Sequence, residues 1–165
     1  NIVDTCAGIK DYNARNTCTY ETSLKNKGVN NCLLLRSDAK LRNSCIAQVA
    51  LDTNNSKACK SIIRIERILT AECISAVALS TNEPERCEDI FPDIEYYRCF
   101  SDIGVKYGSI DVCGLAKRKN MKLLSYPTKF YCYKDYATQK KDPSACSRIT
   151  ASVFRAECEA AAAAE

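Results

Sequence analysis

The segments "EPERC" at residues 83–87 and "DPSAC" at residues 142–146 share one pattern, in which an acidic residue and a proline precede a cysteine. Proline is favoured at the first position of a helix, because its missing N–H group would have no partner inside the helix there. A polar residue just before the helix can accept a hydrogen bond from a first-turn N–H group. The pattern therefore predicts a helix start that carries a cysteine on its first turn.

The twelve cysteines extend this pattern along the chain. Taken in pairs, an early and a late cysteine define six repeats of about 27 residues: 3–28, 29–55, 56–83, 84–109, 110–142 and 143–165. A small residue follows each late cysteine by five positions: Ser23, Ala50, Ala78, Gly104, Ala137 and Ala163. Agreement at a fixed period is typical of a repeat array. We therefore treat residues 1–165 as a single repeat array.

Each repeat predicts two helices. The first begins at a capping position four residues before the early cysteine, occupied by Asn55, Glu83, Ser109 and Asp142 in four repeats. The second contains the late cysteine, and its apolar residues recur with the i, i+3, i+4 spacing of one buried helix face. No segment has the pattern of a strand. The predicted fold class is all-α: six tandem disulfide-linked helical hairpins forming an α-solenoid or a compact helical stack.

Composition restricts the chemistry. Twelve cysteines, an even number, occur without any histidine, CxxC or CxC spacing. These features favour disulfides over metal sites and predict a secreted protein or an extracellular cell-surface location. The chain begins at Asn1 without a leader-like segment, which we interpret as a mature product. We expect no cofactor, no membrane span and no enzymatic activity, since a histidine-dependent nucleophile is absent. A net charge of +4 does not favour a nucleic-acid partner.

Two disulfide pairings are compatible with the spacing. From late cysteine to the next early cysteine the separation is always 14 residues, whereas within repeats it varies from 12 to 19. The constant spacing, together with turn residues inside these segments, favours intrachain bonds between neighbouring repeats. This hypothesis pairs Cys18 with Cys32, Cys45 with Cys59, Cys73 with Cys87, Cys99 with Cys113, and Cys132 with Cys146. The alternative pairs the early and late cysteines of each repeat.

The favoured pairing leaves Cys6 and Cys158 without intrachain partners. Joining two chains head to tail would separate these cysteines by 13 residues, close to the internal spacing of 14. We therefore predict an intersubunit disulfide or contact between Cys158 of one molecule and Cys6 of the next. Head-to-tail contacts that do not close into a ring produce filaments.

Three further features are candidate sites. Repeat 5 contains an insertion with Lys117, Arg118, Lys119 and Lys122, which predicts a basic docking patch or a solvated loop. Tyrosines concentrate in repeats 4 and 5, where they either fill gaps between helices or line an interface. Asn54 begins an Asn-Asn-Ser sequon, a possible glycosylation site in a predicted turn.

The segments "DPSACSRI" at 142–149 and "YCYKDYA" at 131–137 resemble a short cysteine-containing helical repeat found in secreted or surface proteins predicted from archaeal genomes. The resemblance implies an extracellular, disulfide-bonded, all-α protein, and it implies no activity, because that family has none assigned. Our leading expectation is a structural subunit of a head-to-tail, pilus-like surface filament with itself as partner. The alternative is a monomeric secreted binding module for a cell-surface glycan or protein.

Overall fold

The computed structural model describes residues 2–62, 65–91, 93–117 and 129–164. Within these residues the chain is helical and contains no strand, so the all-α prediction is confirmed. The elements in chain order are α1 (Ile2–Ala7), α2 (Tyr12–Lys25), α3 (Val29–Cys32), α4 (Ala39–Asp52), 3-10 helix η1 (Ser56–Ser61), α5 (Arg67–Thr81), η2 (Pro84–Asp89), α6 (Asp93–Tyr107), α7 (Asp111–Leu115), α8 (Phe130–Lys140), η3 (Pro143–Arg148) and α9 (Ser152–Ala163).

The chain divides into two compact units, Asn1–Ser80 and Thr81–Glu165. In the N-terminal unit, α2 packs on α4, while α3 contacts both of these helices and η1 packs on α4. In the C-terminal unit, α8 packs on α6 and on α9, and η3 contacts both α8 and α9. Short elements that bear early cysteines thus pack against the long helices that bear late cysteines.

The predicted starts of the short helices are largely confirmed. Asn55, Glu83 and Asp142 are the N-cap residues of η1, η2 and η3, and the latter two are followed by proline. The Asp142 carboxylate accepts a hydrogen bond of 3.0 Å from the Ser144 N–H group. In repeat 5, α7 begins at Asp111 after Ile110, so Ser109 lies one residue before the cap.

Long helices end in a common geometry. The residue nine positions after a late cysteine has a positive φ of 51–69° in five repeats: Lys27, Asn54, Asn82, Gly108 and Lys141. The following N–H group bonds back to the carbonyl of the small residue five positions after the cysteine, for example Asn55 to Ala50 at 2.8 Å and Asp142 to Ala137 at 2.9 Å. This is the Schellman pattern of helix termination. The tandem repeat itself stays a prediction.

At Gly104 the small residue at that position has a steric cause. A Cβ atom at Gly104 would lie 2.8 Å from the carbonyl oxygen of Ser109 and 3.3 Å from Cδ2 of Tyr136. Ser109 follows the helix end and folds back over it, whereas Tyr136 belongs to the neighbouring helix α8. The close approach of a neighbouring helix, expected from the small residues, is therefore present at Gly104.

The favoured disulfide pairing is wrong. The structure pairs the early and late cysteines within each repeat: Cys6–Cys18, Cys32–Cys45, Cys59–Cys73, Cys87–Cys99, Cys113–Cys132 and Cys146–Cys158. Every cysteine is therefore bonded within the chain, including the ten that were expected in intrachain bonds. Each closed loop is worth about 3 kcal/mol by the chain-entropy argument.

The chain reverses direction shortly after each early cysteine, which explains the correction. A continuous helix through 60–72 would have separated Cys59 and Cys73 by about 21 Å. Instead η1 ends at Ile62, whose backbone is extended, and α5 begins only at Arg67. The two Cα atoms are consequently 5.8 Å apart. The constant separation of 14 residues reflects a rigid path through a helix, its Schellman turn and the next short helix.

The prediction for Cys6 and Cys158 is also wrong in its covalent form. Cys6 is bonded to Cys18 and Cys158 is bonded to Cys146. Both Cys6 and Cys158 are buried. Neither thiol is available for a bond to another molecule.

Candidate functional site: an apolar groove in the N-terminal unit

An apolar groove of about 350 Å³ opens in the N-terminal unit. Its lining residues come from α4, from α5 and from the connection after η1: Lys40, Asn43, Ser44, Ala47, Leu51, Ile62, Leu69, Glu72, Cys73 and Ala76. The residues from α4 recur at intervals of three or four positions and therefore share one helix face. Those from α5 do the same.

Local structure fixes the walls of the groove. The Asp38 carboxylate caps α4 by accepting a hydrogen bond of 2.9 Å from the Leu41 N–H group. At the other end of α4, the Thr53 hydroxyl donates to the Val49 carbonyl at 2.6 Å. The Cys59–Cys73 disulfide attaches α5 to η1. These contacts define the ends of α4 and attach α5 to η1, which packs on α4.

The lining has four polar residues, of which one is buried. Lys40, Ser44 and Glu72 are exposed and therefore remain hydrated. The side chain of Asn43 is only 6% exposed, and its Oδ1 atom has no hydrogen-bond partner among the described residues. A buried carbonyl oxygen without a partner costs about 1–3 kcal/mol. Because Oδ1 is itself inaccessible to solvent, it is an unsatisfied acceptor of the core and not a group that a ligand in the groove contacts.

Large apolar side chains are exposed next to the groove in sequence. Ile65 and Ile68 are 84% and 58% exposed, and they precede the lining residue Leu69, which is 40% exposed. Single exposed apolar residues are normal, but a cluster of them suggests a contact surface. Of these three residues, Leu69 also lines the groove.

The basic patch is only partly described. Lys117 is exposed, and its backbone N–H group donates to the Tyr96 hydroxyl at 2.8 Å. That hydroxyl in turn donates to Oε1 of Glu88 at 3.0 Å. Arg118, Lys119 and Lys122 lie outside the described residues, so the patch as a whole stays a prediction.

The tyrosines of the C-terminal unit mostly serve the core. Tyr96, Tyr97 and Tyr136 are buried, and the Tyr96 ring makes edge contacts with Tyr97 and Phe100 at centroid distances of 4.9 and 5.0 Å. Tyr131 and Tyr133 are half-buried. Tyr126 lies outside the described residues. The interpretation of these residues as gap fillers is therefore confirmed for the three buried rings.

The predicted glycosylation site is accessible at its asparagine. Asn54 is exposed and has a φ of 51° in the turn after α4, whereas Ser56 of the same sequon is 4% exposed. The asparagine thus lies in a turn, as expected. Attachment of a glycan stays a prediction.

Two carboxylates form a half-buried acidic pair in the C-terminal unit. Burial raises the pKa of Asp102, which lies on α6, while a hydrogen bond from Gln139 and the charge of Arg98 lower it. Burial likewise raises the pKa of Asp135 on α8, where Arg98 opposes the shift and the charge of Asp102 adds to it. Arg98 therefore offsets part of the cost of burying two carboxylates, but burial dominates for both.

Other classes of site are not found among the described residues. In these segments no group of three or more histidine, cysteine, aspartate or glutamate residues could hold a metal ion. In the same segments no helix is long enough and apolar enough to cross a membrane.

Asn43 was missed by the sequence analysis, although the sequence contains a signal for it. Two positions before the late cysteine, the six repeats carry Asn16, Asn43, Ala71, Tyr97, Phe130 and Ala156. Asparagine thus stands at a position that is buried and apolar in three later repeats. A polar residue at a core position indicates either an internal hydrogen bond or a binding site.

Comparison with protein-family models, curated proteins and solved structures gave no match to this chain. The resemblance to the archaeal cysteine-containing repeat therefore stays a prediction.

Proposed function

We propose that this chain is a disulfide-stabilised binding protein of an oxidising, extracellular compartment, and that its N-terminal unit binds an apolar ligand. The observation that carries the proposal is the groove of about 350 Å³ lined by α4 and α5. Ligand sites in proteins are typically apolar concavities of about 300–1,000 Å³ with a few polar groups. The six disulfides fit such a compartment, because they persist where the environment is oxidising.

The groove is already present in the free protein, which favours ligand binding. The Asp38 carboxylate caps α4 and the Cys59–Cys73 bond ties α5 to η1, which limits the movement of the groove walls in the free protein. Preorganisation of this kind reduces the entropy that binding costs. A ligand in the groove would also remove part of Leu69 from water, which is favourable by about 25 cal/mol per Å² of apolar surface.

The test is binding of 1-methoxynaphthalene, an apolar probe without a hydrogen-bond donor, measured by saturation-transfer NMR. Ala47 lines the groove and is half-buried, so Ala47→Phe should fill the groove and weaken binding at least tenfold. Ala14→Phe is the matched control, because Ala14 is an exposed residue of α2 in the same unit. Binding that is absent in the wild type, or equal in both variants, would refute the proposed site.

A non-covalent head-to-tail homopolymer is a second candidate, and one observation favours it. The small residue after the late cysteine is buried in repeats 1 to 5, and Ala163 of repeat 6 is exposed. In the earlier repeats the chain that follows covers this position, as Ser109 covers Gly104. Among the described residues the equivalent face of α9 is exposed, and in this second candidate another copy of the chain covers it.

Analytical ultracentrifugation over a range of concentrations tests the homopolymer. If copies stack through α9, Ala163→Glu should shift the distribution to monomer, whereas the control Ala160→Glu should not. Position 160 is a suitable control, because the equivalent residue Lys134 carries a charge in repeat 5. A wild-type monomer at all concentrations would exclude this candidate and leave the binding proposal unaffected.

A further inference from the structure

The exposed apolar side chains of the N-terminal unit lie in its three disulfide-closed loops. One disulfide closes each loop: Cys6–Cys18, Cys32–Cys45 and Cys59–Cys73. We call the exposed residues within 7–17, 33–44, 60–62 and 65–72 the loop surface. Every large apolar side chain that is exposed among the described residues of this unit belongs to it, with exposed fractions of 38–84%: Tyr12, Leu33, Leu34, Ile65, Ile68 and Leu69. An exposed apolar cluster of this kind indicates a contact surface.

The three loops adjoin one another. The Tyr12 hydroxyl of the first loop donates a hydrogen bond of 2.7 Å to Oγ of Ser37 in the second loop. The second and third loops meet at the apolar groove, whose lining includes Lys40 from one loop and Ile62 and Leu69 from the other. The loop surface is therefore continuous from the first loop to the third.

The loop surface is also basic. Six of its residues are basic and three are acidic: Lys10, Arg15, Arg36, Lys40, Lys60 and Arg67 against Asp11, Glu66 and Glu72. Its net charge is +3, compared with +4 for the whole chain. The Asp11 carboxylate accepts a hydrogen bond of 2.8 Å from the Ala14 N–H group, so the positive end of α2 offsets part of its charge. Cationic and apolar groups lie close together, since the Arg15 guanidinium is 5.9 Å from the centre of the Tyr12 ring.

We infer that the loop surface binds to the surface of an anionic lipid membrane. The strength of such peripheral binding depends on the apolar area that enters the boundary between headgroups and acyl chains, and on attraction between basic side chains and anionic lipids. The loop surface supplies both, and tyrosine is a residue type enriched at membrane interfaces. The inference goes beyond the binding proposed for the groove and does not depend on it.

A lipid surface fits this chemistry better than an acidic protein does. The core of a protein interface is packed as densely as a protein interior, so each exposed anchor needs a pocket of matching shape. Ile65 is 84% exposed and Leu33 is 38% exposed, so these side chains project to very different extents. A fluid acyl layer accommodates such unequal projections without a shaped pocket.

The test is co-sedimentation of the full, oxidised chain with phospholipid vesicles. One set consists of phosphatidylcholine, and the other contains equal amounts of phosphatidylcholine and phosphatidylglycerol, which is anionic. At about 0.1 M salt we expect partitioning to the anionic vesicles to be about tenfold stronger or more, because each basic residue near an anionic surface strengthens binding about fivefold. At about 1 M salt, where the Debye length is only about 3 Å, most of this difference should disappear.

An apolar substitution tests the insertion of the loop surface. Ile65→Ser should weaken partitioning to the anionic vesicles about tenfold, because an inserted isoleucine side chain is removed from water. Val153→Ser is the matched control, since Val153 is 75% exposed but belongs to the C-terminal unit. This control should partition like the wild type.

A charge substitution tests the electrostatic part. Arg36→Gln should weaken partitioning to the anionic vesicles about fivefold. Lys25→Gln is the matched control in the same unit, because Lys25 is exposed at the far end of α2, about 20 Å along the helix from Tyr12. That distance exceeds the Debye length of about 10 Å at 0.1 M salt, so this substitution should have little effect. Circular dichroism checks that all four variants are folded.

The wild type alone can overturn the inference, so the test does not depend on a variant that folds. No binding to the anionic vesicles would overturn it and leave an acidic protein as the partner that this chemistry fits. Equal binding to both kinds of vesicle would also overturn it. An equal loss in each variant and its control would overturn the assignment to the loop surface. The groove is tested separately with 1-methoxynaphthalene, so either proposal can fail without the other.

Discussion

Replacing Gly104 by alanine tests the steric argument for the small residue at the end of each long helix. Alanine is favoured over glycine inside a helix by about 1 kcal/mol, so the substitution would normally stabilise α6. Here, however, the new Cβ would lie 2.8 Å from the Ser109 carbonyl oxygen and 3.3 Å from Cδ2 of Tyr136. The Ser109 oxygen belongs to the backbone of a turn that is itself hydrogen-bonded to Gly104 at 2.8 Å, so it cannot move aside easily.

Overpacking of this kind costs about 1–3 kcal/mol, which exceeds the gain in helix propensity. We therefore expect Gly104→Ala to lower the free energy of unfolding by about 1 kcal/mol. The matched control is Gly114→Ala in α7, where the nearest atom to the new Cβ, the Tyr133 hydroxyl oxygen, is at an ordinary contact distance of 3.8 Å. This second variant should be as stable as the wild type or more stable.

The assay is urea unfolding of the oxidised proteins, followed by circular dichroism and tyrosine fluorescence. A lower urea midpoint with an unchanged slope would show that stability itself has fallen. The reasoning would be refuted if Gly104→Ala were as stable as Gly114→Ala, because the turn after α6 would then accommodate a side chain.

Three other predictions concern the disulfides, the core and pH. Mass spectrometry of peptides from a non-reducing digest should join Cys6 to Cys18; a peptide joining Cys6 to a second molecule would contradict the structure. Ser101→Ala should raise stability by about 1 kcal/mol in the same urea assay, because the buried Ser101 hydroxyl has no partner among the described residues. Burial raises the pKa of Asp135, so its contribution to stability is greatest below the unfolded pKa of about 3.9 and is lost as pH rises through the folded pKa. Asp135→Asn should therefore reduce the loss of stability as the pH rises above about 4, and an unchanged pH profile would contradict this.

The sequence by itself determined the fold class. Proline at the first helical position, capping residues such as Asp142 and the small residue after each late cysteine are local signals, because each acts within one helix or turn. The structure contains these helices, and the small residue at Gly104 has the steric role that the pattern implied. The burial of tyrosines such as Tyr96 could also be predicted, because they lie on the apolar face of a helix.

Only the tertiary structure decided the disulfide pairing and the candidate site. The constant spacing of 14 residues favoured bonds between repeats, yet it results from a rigid helix and turn. The segment of variable length between the early and late cysteines is the one that reverses direction, at residues such as Ile62. Sequence separation alone does not specify the direction of the chain, and disulfide formation requires Cα atoms within about 7 Å. The groove depends in the same way on how α4, α5 and Ile62 converge in space, because its lining residues are distant in sequence.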